Sequence, residues 1–174
     1  MAYEIFMKVL LIGLNHSFQL EGFNSEWELF KNYLSDRCLE ENPDLIAEEL
    51  NIEAIELWKA NDSVARRIAN SLGIGHLFCD PDSSEREKIG IKSIKEIASD
   101  LGYGHALTSQ ESEKVEIMDK KQWDKREKYW LSRLLEKDFQ KCIFIVGSDH
   151  VDSFYSKLKE NKIETQILTN NWKP

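Results

Sequence analysis

Residues 141–154 read KCIFIVGSDHVDSF. An apolar run, Cys142 to Val146, enters Gly147, and His150 follows three residues later. A strand that is apolar without alternation is one buried on both faces, as central strands of parallel sheets are. Residues 8–19, KVLLIGLNHSFQ, repeat the pattern with Gly13 and His16. Between these two stretches, short apolar runs alternate with helical patterns, the signature of an α/β fold with a mainly parallel sheet. The expected architecture is one α/β domain over residues 1–174, a three-layer sandwich with helices on both faces of the sheet.

The first strand is expected over Glu4–Gly13. A helix follows from about Asn24 and Ser25, where Ser25 and Glu28 have capping-box spacing and Trp27, Phe30 and Leu34 share a face. Asp44–Leu50 reads as the second strand. Ile52, Ile55 and Trp58, then Val64, Ile68 and Leu72, give helical patterns that stop at Gly73. Ile74–Asp80 is the third strand. A helix entered at Ser84 and Glu87 carries Ile91, Ile94, Ala98 and Leu101 and ends at Gly102. Residues 103–116 show no clear periodicity and read as loop. A long helix over Asp119–Lys137, the strand CIFIVG, a helix over Asp152–Asn161 and an edge strand Glu164–Leu168 complete the chain.

The 174 residues carry 23 basic and 31 acidic side chains, a formal charge of −8. A surface this acidic repels phosphate backbones and argues against extended nucleic-acid binding, while leaving room for a local nucleotide pocket. Cys38, Cys79 and Cys142 are odd in number and form no C-x-x-C; Cys79 and Cys142 lie inside apolar runs and read as small buried groups, so a reducing compartment is expected. The opening MAYEIFMKVLLIGLNH lacks a basic leader and a cleavage site, and no apolar run nears the ~18 residues of a membrane span. A soluble cytoplasmic protein with no membrane partner is expected. Trp172, in the terminal NNWKP, reads as an exposed apolar group suited to self-association as a homo-oligomer.

In open parallel sheets, ligands bind beyond the carboxyl ends of the strands. The first strand delivers Asn15 and His16 there, the second Glu48 and Glu49, the third Asp80 and then Asp82, the fourth Ser148, Asp149 and His150. The glycines are expected to let the chain turn sharply, holding both imidazoles over one crevice. Glu48 and Glu49 point to opposite faces, so one of them enters the crevice and the other pairs elsewhere or meets water. DPDSSE is also good turn and cap chemistry, so Asp82 has a structural reading as a helix cap, with Arg86 one turn on as its partner. His76, inside a strand, reads as a structural histidine, and His105 as a solvated one.

The long helix holds an anomaly. Trp123, Trp130, Leu131 and Leu134 form its apolar stripe, and Glu127 falls on that stripe. A carboxylate there is costly unless paired. It is either a charge reaching water at the helix edge or, with Arg126, a charge partner at the crevice for a histidine or an anion.

LIGLNHS, LIAEEL, REKYWL and FIVGSDHVDSFYSKL together resemble the superfamily of TraB/GumN (TIKI) proteins, erythromycin esterases and ChaN-like proteins, across Val9–Leu158. The resemblance implies that His16 and His150 are the paired histidines, Glu49 the acidic residue and Arg126 the arginine of the helix motif. The chain is shorter than most members, and Asn51 stands where several relatives have an aspartate. Relatives include metal-dependent peptidases, metal-independent esterases and a haem-binding branch, so the resemblance does not fix the chemistry.

The leading expectation is a small hydrolase that activates water against a soluble ester, amide or phosphate-containing compound. His16, Glu49, Arg126 and His150 would be catalytic, with Glu48, Asp80, Asp82, Glu127 and Asp149 contacting the ligand. His16, Glu49 and His150 would also suffice to hold a divalent metal. The alternative is a binding module without turnover, for a nucleotide or haem, that signals to a partner. There is no G-x-S-x-G, no P-loop and no G-x-G-x-x-G; GIG at 73–75 lacks the third glycine.

Overall fold

A computed structural model describes residues 7–174, so the beginning of the expected first strand, Glu4–Phe6, lies outside the described residues. The strands are β1 (Lys8–Leu14), β2 (Leu20–Glu21), β3 (Leu45–Glu48), β4 (Asp62–Ser63), β5 (Gly75–Phe78), β6 (Lys141–Gly147) and β7 (Glu164–Trp172). The helices are α1 (Trp27–Glu41), α2 (Ile52–Leu57), α3 (Val64–Leu72), α4 (Ser83–Ile89), α5 (Ile94–Asp100), α6 (Ser109–Lys120), α7 (Trp123–Leu135) and α8 (Val151–Glu160). Short 3₁₀ turns at His16–Gln19 and Ser148–His150 follow β1 and β6.

Five strands form one parallel sheet in the order β5-β3-β6-β1-β7, with β6 hydrogen-bonded to β1 on one side and β3 on the other. Its two faces divide the apolar side chains by alternation. Leu10, Ile12, Ile46, Ile143 and Ile145 face α1 and α3. Val9, Leu11, Ala47, Phe144 and Val146 face α7 and α8 through Trp130, Leu134, Phe154 and Leu158. The expected three-layer α/β sandwich is therefore the fold, and the continuous apolar runs of β1 and β6 have this cause: both faces are covered. A separate antiparallel ribbon, β2 with β4, sits beside the sheet. Among the described residues, no helix is long and apolar enough to cross a membrane.

The fold departs from the sequence expectation in several places. Residues 109–120 form a helix, capped reciprocally by Thr108 and Glu111. Only Val115 of α6 is buried, so the helix has almost no apolar stripe to betray it. The long helix begins at Trp123, not Asp119. The helix expected after Ser84 is two helices, interrupted at Gly90 (φ 67°) and restarted by a Ser93–Glu96 capping box. Its first box is Asp82–Glu85, not Ser84–Glu87. At α1, the Asn24 side chain rather than Ser25 accepts the free amides, those of Glu26 and Trp27. β7 runs on to Trp172, whose ring packs against Phe30 (5.1 Å), Phe18 (5.4 Å) and Tyr33 (5.7 Å). The terminal tryptophan is thus part of the apolar layer beneath the His16 turn, half-buried rather than exposed. The three cysteines are buried free thiols, Cys79 and Cys142 as expected.

Candidate active site

β1 and β6 are neighbours in register, with Leu14 opposite Gly147. The two 3₁₀ turns therefore leave the same edge of the sheet side by side, and each carries its histidine over that edge. The glycines serve close approach rather than a sharp turn. Gly147 has an ordinary φ of −57°, but a Cβ there would lie 2.8 Å from His16 Nε2 and 3.2 Å from Glu49 Oε2. A Cβ on Gly13 would lie 2.1 Å from the Asn170 carbonyl oxygen.

Glu49, just past β3, is the centre of the arrangement. It is buried, and its two oxygens face different groups. Oε2 accepts from the Gly147 amide at 2.7 Å and lies 3.5 Å from His16 Nε2. Oε1 lies 3.0 Å from Arg126 Nη2 and 4.0 Å from His150 Nε2. The Arg126 contact is an ion pair by distance but not aligned as a hydrogen bond, so the buried Oε1 has no aligned donor among the described residues. Burial works to raise the pKa of Glu49, but the charges of His16 and Arg126 prevail and hold the carboxyl well below its usual range.

Both histidines are pinned at Nδ1 and turn Nε2 toward this carboxylate. His16 Nδ1 is 2.7 Å from Gln19 Oε1, one 3₁₀ turn away. Gln19 Nε2 in turn donates to Glu48 Oε2 at 3.0 Å. With Gln19 Nε2 donating to Glu48, the Gln19 carbonyl oxygen faces the ring, so His16 Nδ1 carries a hydrogen. Burial lowers the pKa of His16, but Glu49, helped by the Gln19 contact, outweighs both that and the charge of Arg126, raising it to about 9. The imidazole side chain still exposes 44% of its surface, so water screens part of this effect.

His150 is held differently. Its Nδ1 is 2.9 Å from Glu127 Oε1, which also accepts from Ser153 Oγ at 2.5 Å. Its ring lies against Trp123 (4.2 Å between centroids) and Trp130 (5.0 Å), almost wholly buried. The apolar stripe of α7 thus carries a carboxylate because a histidine from the neighbouring sheet edge pairs with it.

Arg126 is itself positioned. Its Nε donates to Asp80 Oδ1 at 2.6 Å, which also accepts from Trp130 Nε1 at 3.1 Å. Arg86 donates to Asp80 Oδ2 at 2.7 Å, so the partner of Arg86 is Asp80, not Asp82. His16, Glu49 and Arg126 separate two pockets and line both. One, of about 330 Å³, extends toward Leu20, Phe23 and Trp58. The other, of about 240 Å³, extends toward His150 and Asp149.

His16, Glu49, Arg126 and His150 come together, with Glu127 and Asp80 as direct partners. Asp149 is exposed at the rim of the smaller pocket. Asp82 caps α4, accepting the Glu85 amide at 2.8 Å, and lines neither of these two pockets. Glu48 is fully buried on the opposite face of β3, where Ser63 Oγ donates to it and His76 Nε2 lies 2.7 Å away. It meets neither water nor the crevice; it reaches the site through Gln19. Gln19 is a site residue that sequence reasoning did not single out, and Arg86 was read there only as a partner of Asp82. The i, i+3 spacing from His16 was the available signal for Gln19.

Among the described residues, no group of three or more His, Cys, Asp or Glu side chains is arranged to hold a metal ion. His16, Glu49 and His150 do not fit a divalent cation as they stand, because a guanidinium lies 3.0 Å from Oε1 and an amide donates to Oε2. Compared with family models, curated proteins and solved structures, the chain matches none.

Proposed function

We propose that this protein is a small hydrolase that activates water without a metal ion, a reading that also keeps its kinship to the TraB and erythromycin esterase superfamily as a proposal. The observation that carries it is one buried carboxylate, Glu49, faced by His16 Nε2 at one oxygen and by Arg126 and His150 Nε2 at the other. Two histidines with different anchors at Nδ1 suit opposite proton roles.

His150, with Glu127 on Nδ1, has Nε2 directed to the crevice and serves as the general base. A water molecule loses its proton to His150 Nε2 as its oxygen bonds to the carbonyl carbon of an ester or amide, or to a phosphorus centre. Arg126 and the charged His16 stabilise the oxyanion that forms. As the bond to the leaving group breaks, His16 Nε2 protonates the leaving oxygen or nitrogen, and the proton held by His150 returns His16 to its resting form through solvent. Glu49 keeps His16 protonated at neutral pH and orients both rings. The raised pKa of His16 favours the acid role for it over that of base. A cytoplasmic setting belongs to the same reading, supported by three buried free thiols.

The test is turnover of a panel of small esters, amides and phosphomonoesters by the wild type, His16→Gln and His150→Gln, each checked for folding by circular dichroism. Each variant is expected to lose ~100-fold or more in kcat, the usual cost of a lost general acid or base. Unchanged turnover in both variants rejects the reading. Ligand binding with no product from any compound favours the module without catalysis.

A further inference from the structure

The larger pocket has an apolar wall that the reaction chemistry does not require. Leu20, Phe23, Leu50, Ala54 and Trp58 line it, opposite His16, Glu49, Arg86 and Arg126. Phe23 and Trp58 are 41% and 54% exposed, and their rings meet edge to face at 5.3 Å. Two large aromatic rings left together at the surface beside polar groups mark a binding site more often than chance.

The backbone that presents them is specialised. Phe23 follows Gly22, whose φ is 82° and where a Cβ would lie 2.8 Å from Asn61 Nδ2. Trp58 precedes Lys59, a non-glycine residue at φ 52°. Such a conformation is uncommon outside glycine and asparagine and needs surroundings that enforce it. Here the β2–β4 ribbon enforces it. The Asn61 amide donates to the Glu21 carbonyl at 2.9 Å, and Arg67 bridges Glu21 (2.8 Å) and Asp62 (3.3 Å). The ribbon thus holds two aromatic rings at the mouth of a pocket whose floor is polar.

That floor favours an oxygen-bearing group. Three cationic side chains, His16, Arg86 and Arg126, face two carboxylates, Glu49 and Asp80, in a chain of net charge −8. The excess positive charge and the N–H donors suit a carbonyl or carboxylate oxygen and repel an ammonium group. A volume of about 330 Å³ suits a small molecule rather than a polymer.

We infer that this pocket binds the ring-sized apolar part of a small aromatic acyl compound, an aryl carboxylate or its ester or amide, whose oxygen reaches Arg126 and His16. The inference rests on the hydrolase reading only in taking the carbonyl carbon that bears that oxygen to be the one attacked. Phe23 and Trp58 are then specificity-determining residues that stack on the ring, and Ala54 sets the depth of the pocket.

The experiment uses the full chain with ¹⁵N-labelled tryptophan and follows the Trp58 indole N–H by NMR, assigned by its disappearance in Trp58→Phe. The probes are 2-naphthoate, acetate and 2-naphthylmethylamine. 2-Naphthoate is expected to move the Trp58 signal saturably, and acetate and the amine to bind about tenfold or more weakly, for want of the ring or of the negative charge. Phe23→Ala should weaken 2-naphthoate about tenfold, and Ala54→Leu, which fills the pocket while leaving both rings, should do the same or more. An unmoved Trp58 signal, an amine that binds as well as the acid, or undiminished affinity in Ala54→Leu overturns the inference. Hydrolysis of a methyl ester such as methyl acetate with no 2-naphthoate binding sinks this pocket and keeps the hydrolase. Binding of 2-naphthoate with no hydrolysis of methyl 2-naphthoate or any other panel compound does the reverse.

Discussion

The two G-x-x-H ends of this molecule have the same spacing and different surroundings. His16 is partly open to water and anchored by a neutral amide, Gln19. His150 is buried between two indoles and anchored by a carboxylate, Glu127. Both face Glu49, so what distinguishes them lies behind each ring rather than in front of it. The same three-residue step from a strand end thus leads to one imidazole held by an amide and another held by a carboxylate, the contrast on which the proposed acid and base roles rest. A motif fixes where an imidazole is placed; it does not fix the atom that holds its Nδ1.

The most severe way to break this contrast is to neutralise the anchor of His150. In Glu127→Gln, an amide can present either its oxygen or its nitrogen to Nδ1, so the tautomer is no longer fixed. We expect kcat to fall on the order of 100-fold with little change in KM, the scale seen when partners that orient a histidine are lost. Steady-state kinetics check it, and an unaltered kcat would show that Glu127 only stabilises the fold.

Trp172→Ala attacks the other side. The ring packs beneath the His16 turn through Phe18 and is half-buried, so its loss should cost about 2 kcal/mol of stability, below the range for a fully buried tryptophan. Denaturant unfolding measures this, and gel filtration should show no change in association state. A shift in oligomeric state at constant stability would restore the terminal residue as a contact surface.

Gln19→Leu sharpens the contrast by removing the acceptor at His16 Nδ1. Activity should fall about tenfold, in the range for a hydrogen bond to a charged group. The pKa of His16, read from its ring ¹⁵N shifts, should move down from about 9, because the Gln19 contact helps to raise it. An unmoved pKa would remove Gln19 from the site.

The smallest expected effect is on stability against pH. The ordinary pKa of His16 is 6.5 and its folded value about 9. Folding therefore gains from the charged ring fully below pH 6.5 and loses that gain progressively as pH rises through about 9. Melting temperature should decline by a few degrees over that window in the wild type, and this part of the decline should be absent in His16→Gln. Identical profiles would mean that Glu49 does not hold the proton on His16.

Much of this arrangement was legible in the sequence because it follows from alternation and strand-end position. Continuous apolar runs marked β1 and β6 as central, and the sheet edge then gathered His16, Glu49 and His150. Glu127 was legible as a misfit on an apolar stripe. What escaped had no pattern of its own. The helix α6 is capped well but buries little. Glu48 looks like a surface acid, yet Ser63 and His76 meet it inside the fold, and both are remote in the chain. The role of Gly147 depends on a side chain more than a hundred residues away, so the residue type was visible and its reason was not.

The order β5-β3-β6-β1-β7 has a consequence for how the protein folds. The strand at the middle of the sheet, β6, follows both of its neighbours in the chain and must dock between them. Until then β1 and β3 have no common neighbour, and each offers an open edge of unpaired amides and carbonyls. Gly147 and His150 come with that strand, and the Gly147 amide is the donor that meets Glu49 beside His16. Closing the gap between β1 and β3 and bringing His150 to Glu49 are therefore one step.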